Sequence, residues 1–368
     1  MEGPIKNWHV DKDITIARTI QTDVYHDENT FRLLLEKIFV PSWQFITSCD
    51  ELPTQESIFP FSYLPPLLEE PMVAVRDGDD KFYVLSNVCT HRGNLLAMEK
   101  CHSKHGLICK YHGRKFSLQG KMLFMPEFKE VKDFPAPTDD LPSFPVKHWG
   151  NWLFTSMSDF ASPSPAFQWM SDRLDWLPYH AFKYFPEYNQ EYFVEANWAL
   201  YCENYLEGFH IPFVHAGLNQ VLDFGSYETI CREDAVLQIG YAKGDELCFD
   251  LPADHIDAGK KVAAYYYFVF PNLMFNFYPW GLSLNIVTPL SVSKTKVTFK
   301  SFILDVDKFN QGAGSDLNTV EMEDEAIVEN VQKGTKSRAY KHGRYSVTRE
   351  TGTHHFHRLL AAALNGRS

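Results

Sequence analysis

The sequence predicts an α+β protein in two parts, a small all-β domain followed by a larger α+β domain. Three observations carry this. Residues 49–160 hold short β-rich runs separated by Gly/Asp turns. Residues 161–368 mix strand-like runs with helical periodicities, the pattern of an antiparallel sheet with helices packed on one side. Aromatic residues make up 15% of the chain, which suits aromatic cores or an aromatic-lined cavity.

Residues 1–48 read as a leader that joins the larger domain. Asp27-Glu-Asn-Thr supplies N-cap candidates for a helix through Phe31, Leu34, Leu35 and Ile38, and Pro41 limits it. In the second segment, Met72–Arg76, Phe82–Leu85, Leu107–Cys109 and Trp152–Thr155 read as strands, with turns at Asp77-Gly-Asp-Asp80 and Gln119-Gly120. Ser162-Pro-Ser-Pro165 is the linker candidate. Beyond it, strands are expected at Tyr192–Val194, Val236–Ile239, Leu247–Leu251, Ala264–Val269, Leu282–Pro289 and Lys296–Val306. Helices are expected from Trp198 to about His215, from about Asn318 to Gln332 with Gly334 as C-cap, and from Leu359 to Leu364.

Net charge is −12, which argues against nucleic acid and against an anionic membrane surface. No signal peptide is evident in Met1-Glu-Gly-Pro-Ile-Lys-Asn-Trp. The most apolar stretch, Ala263–Leu290, is broken by Pro271, Asn272, Asn276 and Pro279, so no transmembrane helix is expected. Seven scattered cysteines without a secretory signal favour metal or free-thiol roles in a reducing cytoplasm.

Two stretches carry chemistry. Cys89-Thr-His91 is followed, seventeen residues past His91, by Cys109-Lys-Tyr-His112. Two Cys and two His can make a tetrahedral zinc site. They can also hold a Rieske [2Fe–2S] cluster, two thiolates on one iron and two imidazoles on the other. The second reading is favoured because each loop contributes one Cys and one His, and Gly93 and Gly113 permit tight turns around a cluster. Cys101 falls outside the pattern and reads as an ordinary thiol. The second stretch, Cys202-Glu-Asn-Tyr-Leu-Glu-Gly-Phe-His-Ile-Pro-Phe-Val-His215, packs Glu203, Asn204, Glu207, His210 and His215 into thirteen positions. Such a set suits a 2-His-1-carboxylate face for Fe(II) with positions left open for O₂.

Together, residues 89–113 and 203–215 resemble the α (oxygenase) subunit of Rieske non-haem iron oxygenases, and the resemblance spans nearly the whole chain. Glu203-Asn-Tyr-Leu-Glu-Gly-Phe-His is most similar to the choline and carnitine monooxygenase branch. The resemblance implies a Rieske domain, a helix-grip catalytic domain and a homotrimer. It implies a cluster on Cys89, His91, Cys109 and His112, and mononuclear iron on His210, His215 and a distant carboxylate. It makes Glu207 a bridge between a Rieske histidine of one subunit and an iron-ligating histidine of the next, with Asn204 close by. Glu203 is left as either a second-shell group or a structural hydrogen-bonder. Arg114 departs from the family, in which Trp commonly follows the second His-Gly.

His210 and His215 lie about 140° apart on an ideal helix, so a distortion at Pro212 is expected to bring them together. The third ligand is sought in Glu321-Met-Glu-Asp-Glu-Ala-Ile-Val-Glu-Asn-Val-Gln332. A helical wheel puts Val320, Ile327, Val328 and Val331 on one stripe with Asp324 at its centre, so Asp324 is the assignment and Glu321 or Glu323 the fallback. Glu323, Glu325 and Glu329 are expected to point away. Thr353-His-His-Phe-His357 reads as structural or surface, and Asp250–His255 as a loop. The aromatic stretch Tyr265–Trp280 reads as sheet core, with some rings possible for a cavity that would suit a quaternary ammonium group. No G-x-G-x-x-G precedes a helix, so NAD(P)H electrons would arrive through a separate reductase, with or without a ferredoxin. The expected activity is oxygen insertion from O₂ into a small organic substrate; an arene dioxygenase and a Rieske electron carrier are the alternatives.

Overall fold

A computed structural model describes residues 7–158 and 164–366. The chain forms two compact units, one of residues 39–162 and one of residues 1–38 with 163–368. The first begins ahead of residue 49, because Gln44–Ser48 pairs with Trp152–Thr155. Ser162 and Pro163 of the linker candidate lie outside the described residues, and Pro165 is the first residue of a helix to Arg173. Proline is suited there, since its missing N–H is one that the first turn cannot use.

The unit of residues 39–162 is built of three small antiparallel sheets. A five-stranded sheet runs Cys101–His102, Ser57–Tyr63, Glu70–Arg76, Phe82–Ser86, Ser143–Phe144. A three-stranded sheet of Leu107–Ile108, Lys115–Phe116 and Met122–Phe124 carries the loop 109–114 at its first hairpin. Val73, Val75, Leu85, Leu107, Phe116 and Leu118 share one core with Cys89 and Cys109, so both cysteines are anchored from beneath.

The other unit is organised on an antiparallel sheet. Its strands run Lys183–Tyr184, Lys294–Ile303, Gly281–Ser291, Leu273–Tyr278, Val262–Val269, Ala235–Tyr241, Glu228–Arg232, and Gln190–Val194 also pairs with Lys294–Ile303. Its central strands are buried on both faces. The expected strand Leu247–Leu251 is irregular: Phe249 N donates to Val262 O, and no ladder continues from that bond.

The Asp27 cap is present, its carboxylate accepting from Thr30 N at 2.8 Å, and the helix Glu28–Leu34 continues through Phe39 as a π-helical turn. The expected helix over 198–215 is broken. It runs Trp198–Tyr205, stops, and restarts as the single turn Ile211–Val214. Pro212 sits in the first turn of the restart, where it displaces no helical hydrogen bond. The helix over 318–332 spans Leu317–Gly334, with Gly334 inside it and Thr335 as cap. The terminal helix is longer than expected, Thr351–Leu364.

The ends of this unit are tied to one another. Asn365 donates to Trp8 O at 2.6 Å and accepts from Trp8 N at 3.2 Å. Glu203 accepts from Tyr25 OH at 2.8 Å and lies 3.0 Å from His357 Nε2, whose Nδ1 meets Tyr345 OH at 2.6 Å. Glu203 and His357 are thus parts of one structural network.

Candidate metal centres and the cavity beside them

The two loops of the β unit fold alike. Cys89 N donates to Asn94 O and Gly93 N to Cys89 O; Cys109 N donates to Arg114 O and Gly113 N to Cys109 O. Each glycine lies in the left-handed region, at φ 71° and 75°, where a side chain would be strained. These turns bring the His91 and His112 rings to 4.8 Å between centroids. Burial works against the Cys109 thiolate, but N–H groups of Tyr111 and His112 outweigh it and hold the thiol below its ordinary value; burial raises Cys89. His112 Nδ1 is buried without a partner. An orphaned ring nitrogen beside two buried thiols and a second imidazole fits a [2Fe–2S] group. Arg114 is buried, paired with Asp139 Oδ1 at 2.6 Å and stacked near Phe116 and Phe134.

In the other unit, the helix break turns His210 and His215 toward each other, with their Nε2 atoms 3.1 Å apart. Asp324 Oδ1 lies 3.0 Å from His215 Nε2 and 3.4 Å from His210 Nε2. The three donor atoms are mutually within 4.8 Å, close enough to share one ion. Each imidazole is held from behind. His210 Nδ1 meets Glu207 Oε1 at 2.6 Å, and His215 Nδ1 meets Glu323 Oε2 at 2.7 Å. These carboxylates fix the tautomer that leaves both Nε2 atoms free to ligate. Asn204 donates to Asp324 Oδ1 at 2.9 Å. Burial lowers the affinity of His215 for a proton, but the hydrogen bonds and charges of Asp324 and Glu323 outweigh it and raise its pKa.

The buried face of Leu317–Gly334 is not the apolar stripe that a helical wheel predicts around Asp324. Ile327 and Val331 are exposed, while Glu321, Val328 and Gln332 are buried. The buried face is held by polar contacts: Tyr201 OH donates to Glu321 Oε2 at 2.6 Å, and Gln332 Oε1 accepts from Asn197 N at 2.9 Å. Glu323 and Glu329 do not point away; the first meets His215 and the second accepts from Glu195 N. Glu325 Oε1 is buried without a partner.

A cavity of about 110 Å³ opens beside His210, His215 and Asp324. One row of its wall crosses three strands, as Gln238 pairs with Tyr266 and Tyr266 with Asn276. Alternation sends Tyr265 and Tyr267 to the opposite face, against Phe249 and Trp169. Tyr201, Tyr205, Tyr227, Tyr278 and Phe299 complete the aromatic lining. Gly208 makes room for Tyr227, since a Cβ there would sit 2.8 Å from the ring.

Residues 175–366 match the ring hydroxylating alpha subunit (catalytic domain) family, and residues 42–135 match the Rieske [2Fe-2S] domain. The chain belongs to the Rieske oxygenase alpha subunits. This oxygenase uses a Rieske cluster and a mononuclear iron, and the family works with separate reductase partners. It is 30% identical to the chloroplastic choline monooxygenase of Arabidopsis thaliana, over 94% of this chain and 82% of that protein. It is 26% identical to the carnitine monooxygenase oxygenase subunit of Escherichia coli (strain K12), over 94% and 93%. Its fold matches a quaternary ammonium Rieske monooxygenase in complex with L-carnitine, TM-score 0.75 and 21% identity over 95% of this chain and 97% of that one. Naphthalene 1,2-dioxygenase bound to phenanthrene shares the fold, TM-score 0.70 and 16% identity over 94% and 92%. Among the described residues, no helix is long and apolar enough to cross a membrane.

Proposed function

We propose that the chain is the terminal oxygenase of a multicomponent monooxygenase that hydroxylates a small quaternary ammonium compound. The observation that carries this is the ring of tyrosines facing His210, His215 and Asp324, since aromatic faces attract onium cations. The choline and carnitine monooxygenase relatives support it.

In this reading Cys89, Cys109, His91 and His112 hold the cluster, in the unit of residues 39–162, and His210, His215 and Asp324 hold the iron, in the unit of residues 1–38 with 163–368. When bound, the cluster supplies single electrons and the iron activates O₂ for insertion into a C–H bond. The protein's part is positional. Glu207 and Glu323 hold the Nδ1–H of each ligating imidazole, and Asn204 steadies the Asp324 carboxylate. Glu207 is also the carboxylate that reaches a Rieske histidine of a neighbouring subunit, in a cytoplasmic homotrimer supplied by an NAD(P)H-dependent reductase. In one quaternary ammonium Rieske monooxygenase, electron transfer is inter-subunit. Hydroxylation of an N–CH₃ group gives a hemiaminal that releases formaldehyde; hydroxylation beside an alcohol gives an aldehyde hydrate.

Iron and acid-labile sulfide counts on anaerobically purified protein test the assignment, followed by O₂ uptake with onium compounds and arenes. About three irons and two sulfides per chain are expected, with the low average g-value of a His-ligated cluster after dithionite. Two irons alone would leave a Rieske carrier; zinc without sulfide would overturn both centres. A cis-diol from an arene, carrying both atoms of ¹⁸O₂, would replace the monooxygenase reading.

A further inference from the structure

The walls of the cavity discriminate by charge. Among the described residues, no lysine or arginine lines it. Its ionisable side chains are Glu207, His210, His215, Glu321 and Asp324, and all but Glu321 are engaged in the ligand set or its support. Two polar atoms of the lining are buried without a partner, Glu321 Oε1 and Gln238 Oε1. Both are oxygens; Gln238 Oε1 accepts, and Glu321 Oε1 accepts once a bound cation draws the carboxyl into its ionised form. The neighbouring hydroxyl donors are committed, Tyr201 to Glu321 Oε2 at 2.6 Å and Tyr205 to Asn276 Oδ1 at 2.7 Å. What remains to donate is neutral, the amides of Asn276 and Asn285 and the hydroxyls of Tyr227, Tyr266 and Tyr278, the last two bonded to each other.

We infer that this site takes a small onium cation carrying no carboxylate, with Glu321 as its counter-charge and Gln238 as acceptor for a hydroxyl at its other end. The inference rests on the quaternary ammonium reading above and narrows it. A zwitterion would bring a carboxylate into a wall that has no lysine or arginine for it, and would set that anion among unpartnered acceptors, a costly burial. A cation with an alcohol tail meets π-faces, a carboxylate and an acceptor instead. Burial holds the Glu321 carboxyl at about 8, against the Tyr201 hydrogen bond, and a bound cation favours its ionised form.

Two matched substrate pairs test this on the reductase-coupled holoenzyme: choline against glycine betaine, and γ-butyrobetaine against its four-carbon alcohol analogue. In each pair the members differ in carboxylate against carbinol. The alcohol is expected to win by about tenfold or more in kcat/KM, the factor that one unmet charge readily supplies. Equal rates or a preference for the carboxylate members would overturn the inference and leave the onium reading standing. Turnover of arenes with no onium turnover would sink both.

A variant isolates the residue. Glu321→Gln keeps the shape and the acceptor but removes the charge. It should raise KM for choline by about tenfold while changing kcat less, with iron content unchanged. Binding of the neutral isostere dimethylbutanol, in which carbon replaces the nitrogen, should be the same in both proteins by calorimetry. Equal losses for choline and the isostere would mark Glu321 as merely structural and refute its role as counter-charge.

Discussion

Replacing Glu323 tests how far the iron site depends on what stands behind it. Glu323 lies 2.7 Å from His215 Nδ1, on a ring that is 1% exposed. In Glu323→Ala that N–H loses its acceptor inside the protein, a desolvation cost of about 1–3 kcal/mol. Carboxylates behind metal-bound histidines are worth about 10–100-fold in affinity or activity. Glu323 is itself 36% exposed, so water screens part of the effect and can replace part of the bond. The expected loss of iron affinity is therefore at the low end, about tenfold or ~1.4 kcal/mol. Glu323→Gln retains a carbonyl acceptor and should lose less. Competition with an Fe(II) chelator reads the affinity, and acid-labile sulfide, which reports only the cluster, should not change. Unaltered iron affinity in Glu323→Ala would show that His215 is oriented by its packing alone and would refute this reasoning.

Three further predictions follow from other parts of the molecule. Glu207→Ala should keep sulfide and weaken iron binding about as Glu323→Ala does, yet in iron-loaded protein it should lower coupled turnover by about a hundredfold, read as O₂ uptake against product; retained coupled activity would remove the bridge. Arg114→Gln removes a buried positive charge that already disfavours protonation of nearby His91, so it should lower the cluster's midpoint potential by on the order of tens of millivolts in a redox titration. Asp257 binds buried Arg173 through both carboxylate oxygens, at 2.9 and 2.6 Å, so Asp257→Ala should cost about 3–5 kcal/mol in urea denaturation. Burial pushes the Asp257 carboxyl up, but Arg173 outweighs it and the folded value is lowered. Its contribution is then fully present above the unfolded value and is lost as pH falls through the folded one, and Asp257→Asn should blunt that acid sensitivity.

The two donor patterns stand out in the sequence because spacing alone constrains them. Cys89, His91, Cys109 and His112 stand in two short loops, and each loop needs its glycine. Asp324 was reached by a flawed route. The wheel assumed that a buried helical face is apolar, and this one buries Glu321 and Gln332 beside Val328. Nothing local to residues 317–334 announces that Tyr201 and Asn197, more than a hundred positions earlier, will meet those side chains. Glu323 was misplaced for the same reason, since its partner His215 is distant in sequence. The break after Tyr205 exceeds the distortion that a proline inside a helix predicts, because Pro212 opens a new turn. Tyr265–Trp280 reads first as sheet core, with cavity-lining rings as the alternative, and both hold in part: Tyr265 and Tyr267 pack in the core while Tyr266 and Tyr278 line the cavity.

The pairing of Trp8 with Asn365, and of Tyr25 with Glu203 and His357, has a temporal consequence. Residues 39–162 form a contiguous unit whose contacts are complete once that stretch has left the ribosome. The other unit must hold its earliest segment in waiting while some three hundred further residues are made. Long-range closure of that kind is slow. A nascent chain would therefore present a finished electron-transfer module for cluster loading well before the oxygen-activating half could close, and the order of cofactor insertion would follow the order of synthesis.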